Sequence, residues 1–395
     1  MLWRHIIAGF SASLIGIGLA RFAYTPLIPS LIKAHWFSAD GVVYLGAANL
    51  AGYLIGAMIG RPLAARLTNV GILRGMKILV TVAFLGCAFP LSLGWFFVWR
   101  LLSGVAGGAI MVLVAATVLP HMPDHRRGIA SGAIFLGIGV GIAASGTLVP
   151  FLLEFGLRTT WIGLAVLSAV LTILSWTWWP RGKPLPNVRA PAPSKEHDTG
   201  SDRPRVELLY IVYALTAVGL VAPMVFLVDF VARGLNAGEK MGSFFWVIYG
   251  LGAMLGPPAY GYVTDRLGAA KAVRLLLALQ ALALVGLAMT QNLVVLGIFT
   301  FIVGSFPPGI VPMTLGWIRE IHPNDAARQN IVWSRATIVF AAFQALAGYG
   351  YSAVFSHSGG NYALLFEISA AAIVFAFLPD MLIPLLRSRR AAAIR

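Results

Sequence analysis

Twelve apolar runs, each long enough to cross a lipid bilayer as a helix, leave this chain few folds to choose from. They lie at about residues 6–30, 42–64, 71–92, 95–119, 128–153 and 159–179, then at 207–232, 240–263, 271–290, 292–317, 329–355 and 361–385. A membrane-crossing helix takes about 20 predominantly apolar residues. Hydrophobic residues make up 59% of the chain and charged residues 11%, against about 25% charged in a soluble domain. No soluble core encloses that much apolar sequence, so most of it faces lipid. In lipid the backbone must be paired internally, which leaves helices and closed barrels. The runs are too long for barrel strands and lack their alternation. The expected fold is an all-α membrane protein of twelve transmembrane helices.

The runs fall into two groups of six. Between them RGKPLPNVRAPAPSKEHDTGSDRPR, residues 181–205, is polar and proline-rich, the composition of a mobile linker. The expected division is an N-terminal lobe at 1–180, a cytoplasmic linker at 181–205 and a C-terminal lobe at 206–395. The net charge of +15 has to be judged by its placement, because lysine and arginine collect on the inner side of a membrane. Setting both termini and the linker inside gathers Arg61, Arg66, Arg74, Lys77, Arg126, Arg127, Arg266, Lys271, Arg274, Arg319 and Arg328 there. It leaves Lys33, Arg158, Arg233 and Lys240 outside. The basic excess is then a topology signal, and no nucleic acid is needed to explain it. The first run is expected to stay as a helix rather than be cleaved as a signal peptide, because apolar sequence resumes after Arg21. A single cysteine, Cys87, excludes a disulfide within the chain.

The two halves are similar to each other. GAMIGRPLAARL at 56–67 pairs with GAMLGPPAYGYVTDRL at 252–267, and Gly18-Leu19 pairs loosely with Gly219-Leu220. Six spans, a linker and six similar spans is the layout of a two-lobed transporter that rocks around a site near the midplane. Gly261-Tyr262-Val263-Thr264-Asp265-Arg266-Leu267-Gly268, followed by Lys271, resembles the loop signature of the major facilitator superfamily. The first-half copy keeps Arg66 but has Arg61 for the usual glycine and Ala65 for the usual aspartate. Arg100-Leu101-Leu102-Ser103-Gly104 resembles the arginine motif of span 4, with serine where glutamine is common. GIGVGIAASG at 137–146 is similar to the antiporter motif without its proline, so it assigns no antiport. LARFAYTPLIPSL and YALTAVGLVAPMVFLVDFVARGL are similar to the YbfB/YjiJ-type branch. The resemblance implies two pseudo-symmetric six-helix lobes of the major facilitator fold and secondary transport. It also implies a conformational role for the loop residues Gly261, Asp265, Arg266 and Arg66, and it names no substrate.

A charge inside a membrane helix is a functional hypothesis by default. Arg21 lies about sixteen residues into the first run, roughly 24 Å along a helix at 1.5 Å per residue. Arginine keeps its charge and offers a fork of donors suited to carboxylate or phosphate. Before residue 154 the only acids are Asp40 and Asp124, both in loops, so Arg21 has no partner in the membrane part of its own lobe. Three roles are open to it: substrate contact, a cross-lobe gate, or a structural charge. Asp229 is the candidate cross-lobe partner, with Arg233 four residues on as its alternative. Arg100 and Glu367 are further candidates for gating or proton coupling. Pro26 and Pro29, and Pro307, Pro308 and Pro312, mark bending points. Tyr24, Asn49, Tyr53, Trp246, Tyr249 and Gln344 are candidate cavity residues. Trp95, Trp99, Trp161, Trp176, Trp178 and Trp179 are expected to anchor at the membrane interface.

A phosphate-binding glycine loop and a metal cluster are both missing from the sequence pattern, so neither an enzyme nor a cofactor is expected. The expected function is secondary transport of a small organic solute, an anion by the charge of Arg21, across a bacterial inner membrane. Both termini would be cytoplasmic, the chain would work as a monomer in the lipid bilayer, and coupling to H+ is an option. The alternative is export of amphipathic or drug-like compounds with Arg21 as a gate. A non-transporting receptor fits the unbroken two-lobe layout less well.

Overall fold

The computed structural model describes residues 2–123, 127–180, 202–323 and 325–392. Most of the expected linker, 181–201, and the side chains of Asp265 and Asp380 lie outside the described residues. Twelve helices follow one another, and no strand occurs among the described residues. They are α1 (Leu2–Lys33), α2 (Ala39–Arg66), α3 (Asn69–Cys87), α4 (Leu93–His121), α5 (Arg127–Leu153) and α6 (Leu157–Leu174). The second six are α7 (Arg203–Gly234), α8 (Glu239–Leu267), α9 (Ala269–Met289), α10 (Leu293–Ile321), α11 (Ala326–His357) and α12 (Tyr362–Ala392). Ten have the length and hydropathy of a membrane span. The other two are α8, diluted by the GPPAYGY stretch, and α12, whose apolar part is Tyr362–Phe377. Short polar side chains start several helices. Ser38, Thr68, Ser92 and Asn292 each accept a backbone N–H from the first turn that follows, supplying partners that the helix cannot.

Each lobe is built on one close helix pair, α2 with α4 and α8 with α10. Glycines set the spacing. A Cβ on Gly52 would stand 1.9 Å from the Leu101 carbonyl oxygen, and one on Gly252 would stand 2.1 Å from that of Phe301. Gly56 and Gly256 meet the Val105 and Ser305 carbonyls in the same way. Small residues let membrane helices approach backbone to backbone. The equivalence is therefore 52 with 252 and 56 with 256, a constant offset of 200. The sequence pairing of GAMIG with GAMLG, which sets 56 against 252, is slipped by four residues, one helical turn.

Between the lobes, α5 packs on α8 and α2 on α11. The turns at 34–38, 88–92, 154–156, 235–238, 290–292 and 358–361 form one face, and the termini belong to the other. Toward the turn face the lobes are joined by hydrogen bonds. Thr25 Oγ1 donates to the Met224 carbonyl (2.9 Å), Ser30 Oγ to Glu239 (2.6 Å), Ser356 Oγ to Asp40 (2.7 Å) and Trp246 Nε1 to Ser145 Oγ (3.0 Å). Lys33 also pairs with Glu239 at 3.2 Å.

α1 is not a regular helix. It is α-helical to Ser13, π-helical over Leu14–Leu19, α-helical over Ala20–Phe22, and 3-10 over Thr25–Leu27 before its last turn. Pro26 lies in the 3-10 turn, and the π-turn precedes Arg21 directly. By contrast α10 runs unbroken through Pro307, Pro308 and Pro312. Two expectations need correction. Trp161 and Trp179 are buried rather than interfacial, and Trp161 packs on Tyr24, Phe84 and Phe96. Lys77 is not a rim charge. It is buried inside the first lobe, donating to Ser11, to Ser175 and to the Leu171 carbonyl.

Candidate functional site

A cavity lies between the lobes on the terminal side of their hydrogen-bonded seal. It is narrow, with about 60 Å³ open to the centres of water-sized molecules. The first lobe contributes Arg21, Tyr53 and Phe135, and the second contributes Tyr213, Trp333, Phe340 and Gln344. The rest of the wall is mostly aliphatic side chains and the two prolines Pro307 and Pro308. Among the described residues no aspartate or glutamate lines it.

Arg21 is partly buried, yet its Nε and Nη2 are fully enclosed and have no hydrogen-bond partner. Its guanidinium lies 5.2 Å from the Tyr53 ring centroid, a contact worth about 0.5–2 kcal/mol. That is far below the cost of an enclosed charge without a counter-charge, which is of order several kcal/mol. Arg100 is a second guanidinium nearby, buried in the first lobe. Its Nη1 donates to the Ala20 carbonyl (2.8 Å), and its face covers the Tyr24 ring at 4.2 Å. Ala20 lies on the broken stretch of α1, so Arg100 takes up a carbonyl that the irregular helix leaves free. Arg100 positions α1 and does not line the cavity.

Of the seven residues expected at the cavity, Arg21, Tyr53 and Gln344 line it. Tyr24 does not, because its hydroxyl donates to the Val42 carbonyl (2.6 Å). Asn49 is spent inside the first lobe, with Nδ2 donating to Ser103 Oγ (2.8 Å). Trp246 and Tyr249 stack at 4.7 Å and are fully buried. Trp246 bonds Ser145, and the Tyr249 hydroxyl has no partner. Asp229 is bound bidentately by Arg233 (2.6 and 2.8 Å) and accepts from the Tyr362 hydroxyl (2.5 Å). It is therefore not the partner of Arg21. Glu367 is exposed on α12, away from the cavity. Gly261, Arg266 and Arg66 lie at the terminal-face ends of α8 and α2, where Arg266 covers the Tyr262 ring.

Tyr213, Trp333 and Phe340 were not expected. A signal for two of them exists: 333, 337, 340 and 344 form one helical stripe through Gln344, spaced by four, three and four residues.

Comparison with known proteins accords with this architecture. A family model described as "Uncharacterised MFS-type transporter YbfB" matches residues 13–380. The uncharacterized MFS-type transporter YceJ of Bacillus subtilis (strain 168) is 24% identical over 91% of this chain and 93% of its own length. The multidrug resistance protein MdtG of Salmonella choleraesuis (strain SC-B67) is 25% identical over 73% of this chain and 76% of its own. A gallate transporter of Pseudomonas putida is 27% identical over 39% and 34%. The crystal structure of a D-xylose-proton symporter superposes with a TM-score of 0.71 at 15% identity, covering 95% and 96% of the two chains. The two-lobed packing is thus the major facilitator fold, a fold of membrane carriers rather than of enzymes, and the chain belongs to the YbfB-type family of major facilitator superfamily transporters.

Proposed function

We propose that this transporter carries a small organic anion, and that Arg21 binds the anionic group. One observation supports this above the others: Arg21 lines the interlobe cavity, and two donor nitrogens of this permanent cation, Nε and Nη2, have no protein partner. A bound carboxylate would occupy both donors in the bidentate geometry that guanidinium favours. It would also offset the cost of the enclosed charge. The likeness to a gallate transporter is in keeping with an organic anion as cargo.

In this proposal the lobes rock about the cavity, the cavity opens toward the terminal face, and the seal at the turn face breaks when the lobes tilt. The terminal face is the cytoplasmic one, by its basic residues, in a bacterial inner membrane. One chain forms a complete pathway, so the working unit is a monomer. Proton coupling is assigned to Asp229, whose carboxylate Arg233 and Tyr362 hold in this arrangement of the lobes. Counterflow exchange, which needs no driving ion, should then survive Asp229→Asn, whereas uphill accumulation under an imposed proton gradient should be lost. Equal loss of both would remove Asp229 from coupling.

The test of function is counterflow in proteoliposomes loaded with unlabelled carboxylates. Arg21→Ala should abolish exchange of every anion that the native protein exchanges. Exchange that survives Arg21→Ala would refute the assignment. A second proposal, export of amphipathic compounds, draws on the largely apolar wall and the likeness to MdtG. It requires exchange of lipophilic cations independent of Arg21.

A further inference from the structure

Opposite Arg21, the cavity wall carries three aromatic rings from two helices of the second lobe. Tyr213 of α7 and Phe340 of α11 have centroids 4.6 Å apart, and Tyr213 and Trp333 of α11 are 6.2 Å apart. All three line the same cavity as Arg21. Their planes are tilted by 37° and 42°, so they form a bent apolar seat rather than a closed stack. Flat apolar groups pack well against such faces and edges. The remaining polar groups of the described lining, on Tyr53, Thr337 and Gln344, are neutral. A second charge on the cargo would meet no counter-charge in a mostly apolar space, which is costly.

We propose that Tyr213, Phe340 and Trp333 form a ring-binding subsite, and that the cargo is a monoanion carrying one flat ring. Its anionic group would be held by the first lobe through Arg21 and its ring by the second. This rests on the anion-binding role proposed for Arg21. A cargo held in this way bridges the lobes, so binding favours their closing around it. The three rings determine specificity, and Arg21 supplies charge recognition.

The experiment is calorimetric titration of the purified full chain with benzoate, cyclohexanecarboxylate, phthalate and succinate, on the native protein and on Arg21→Ala, Phe340→Leu and Trp333→Leu. The native protein should bind benzoate about ten-fold more tightly than cyclohexanecarboxylate, about 1.4 kcal/mol by the affinity relation, and more tightly still than phthalate or succinate. Phe340→Leu should reduce the preference for the flat ring to about three-fold or less while binding still depends on Arg21. Trp333→Leu gives the same reading if Phe340→Leu does not fold. Acids that bind through Arg21 without preference for the flat ring, or with phthalate bound as tightly as benzoate, would overturn the ring subsite and leave the anion site standing. If no acid binds, or binding persists in Arg21→Ala, the anion site falls and the subsite with it.

Discussion

Arg21 was legible from sequence because a charge in an apolar run stands out whatever the fold. Its neighbours were less legible. Tyr24, three residues on, would share its face in a regular helix. The chain turns at residues 23–24, and Tyr24 instead reaches Val42 and the Arg100 guanidinium. Asn49 and Tyr53, four residues apart, divide between the α2–α4 contact and the cavity. Spacing identifies a shared stripe but not which part of it a neighbouring helix covers. The enclosed donors of Arg21 lead to a prediction at this scale. Arg21→Gln removes a charge that has ring contacts but no ionic or hydrogen-bonding partner for its Nε and Nη2, so the purified variant should melt no lower than the native protein while losing its response to anions. Arg100→Gln should melt lower, because the Ala20 carbonyl and the Tyr24 ring lose their cation. Paired thermal melts check both, and the opposite ranking would exchange the roles assigned to the two arginines.

The helices themselves were predicted in number and order by hydropathy, because lipid forces every span to be apolar and internally paired. Their irregularities were not. Prolines announced the break in α1, yet the same residue type leaves α10 unbroken. The π-turn of α1 contains no proline and had no sequence mark beyond its glycines. The close crossings were visible as glycine repeats, but the one-turn slip between the halves became apparent only from which carbonyls those glycines meet. Gly52→Ala should destabilise the first lobe by about 1–3 kcal/mol, and Gly132→Ala by far less, since a Cβ there meets nothing within 4 Å. Equal denaturation midpoints for these variants would contradict the crossing. The seal at the turn face has its own test. Glu239 holds both Ser30 and Lys33 of the opposite lobe. Glu239→Ala should therefore speed labelling of Gln344→Cys by a membrane-impermeant thiol reagent applied from the turn face, by several-fold. The buried Cys87 is replaced by serine in that background. An unchanged rate would show that Glu239 does not hold the lobes together.

Across the whole molecule the two lobes repeat in backbone, at an offset of 200 through α2–α4 and α8–α10, but differ in chemistry. The first lobe brings the enclosed cations Arg21 and Arg100, and the second brings the ring-bearing wall of Tyr213, Trp333 and Phe340. Arg100 has Thr300 as its counterpart, a buried hydroxyl with no partner. In the proposed function, recognition is carried by departures from the symmetry, while the fold is carried by the symmetry itself. This explains why the architecture could be anticipated from repeats and hydropathy. The far side of the cavity could not, because aromatic residues in a membrane chain mostly pack against helices or lipid, and only the assembled lobes reveal which of them face the gap.

The central claim is that Arg21 binds the anionic group of the cargo. The most direct measurement is a thermal-shift titration of the purified protein with carboxylates and lipophilic cations, with Arg21→Ala and Arg21→Lys alongside, because a ligand of the folded state raises its melting temperature. The account predicts a carboxylate-dependent rise that is absent in Arg21→Ala and much reduced in Arg21→Lys, whose ammonium lacks the fork. A rise produced by lipophilic cations and undiminished in both variants would contradict it.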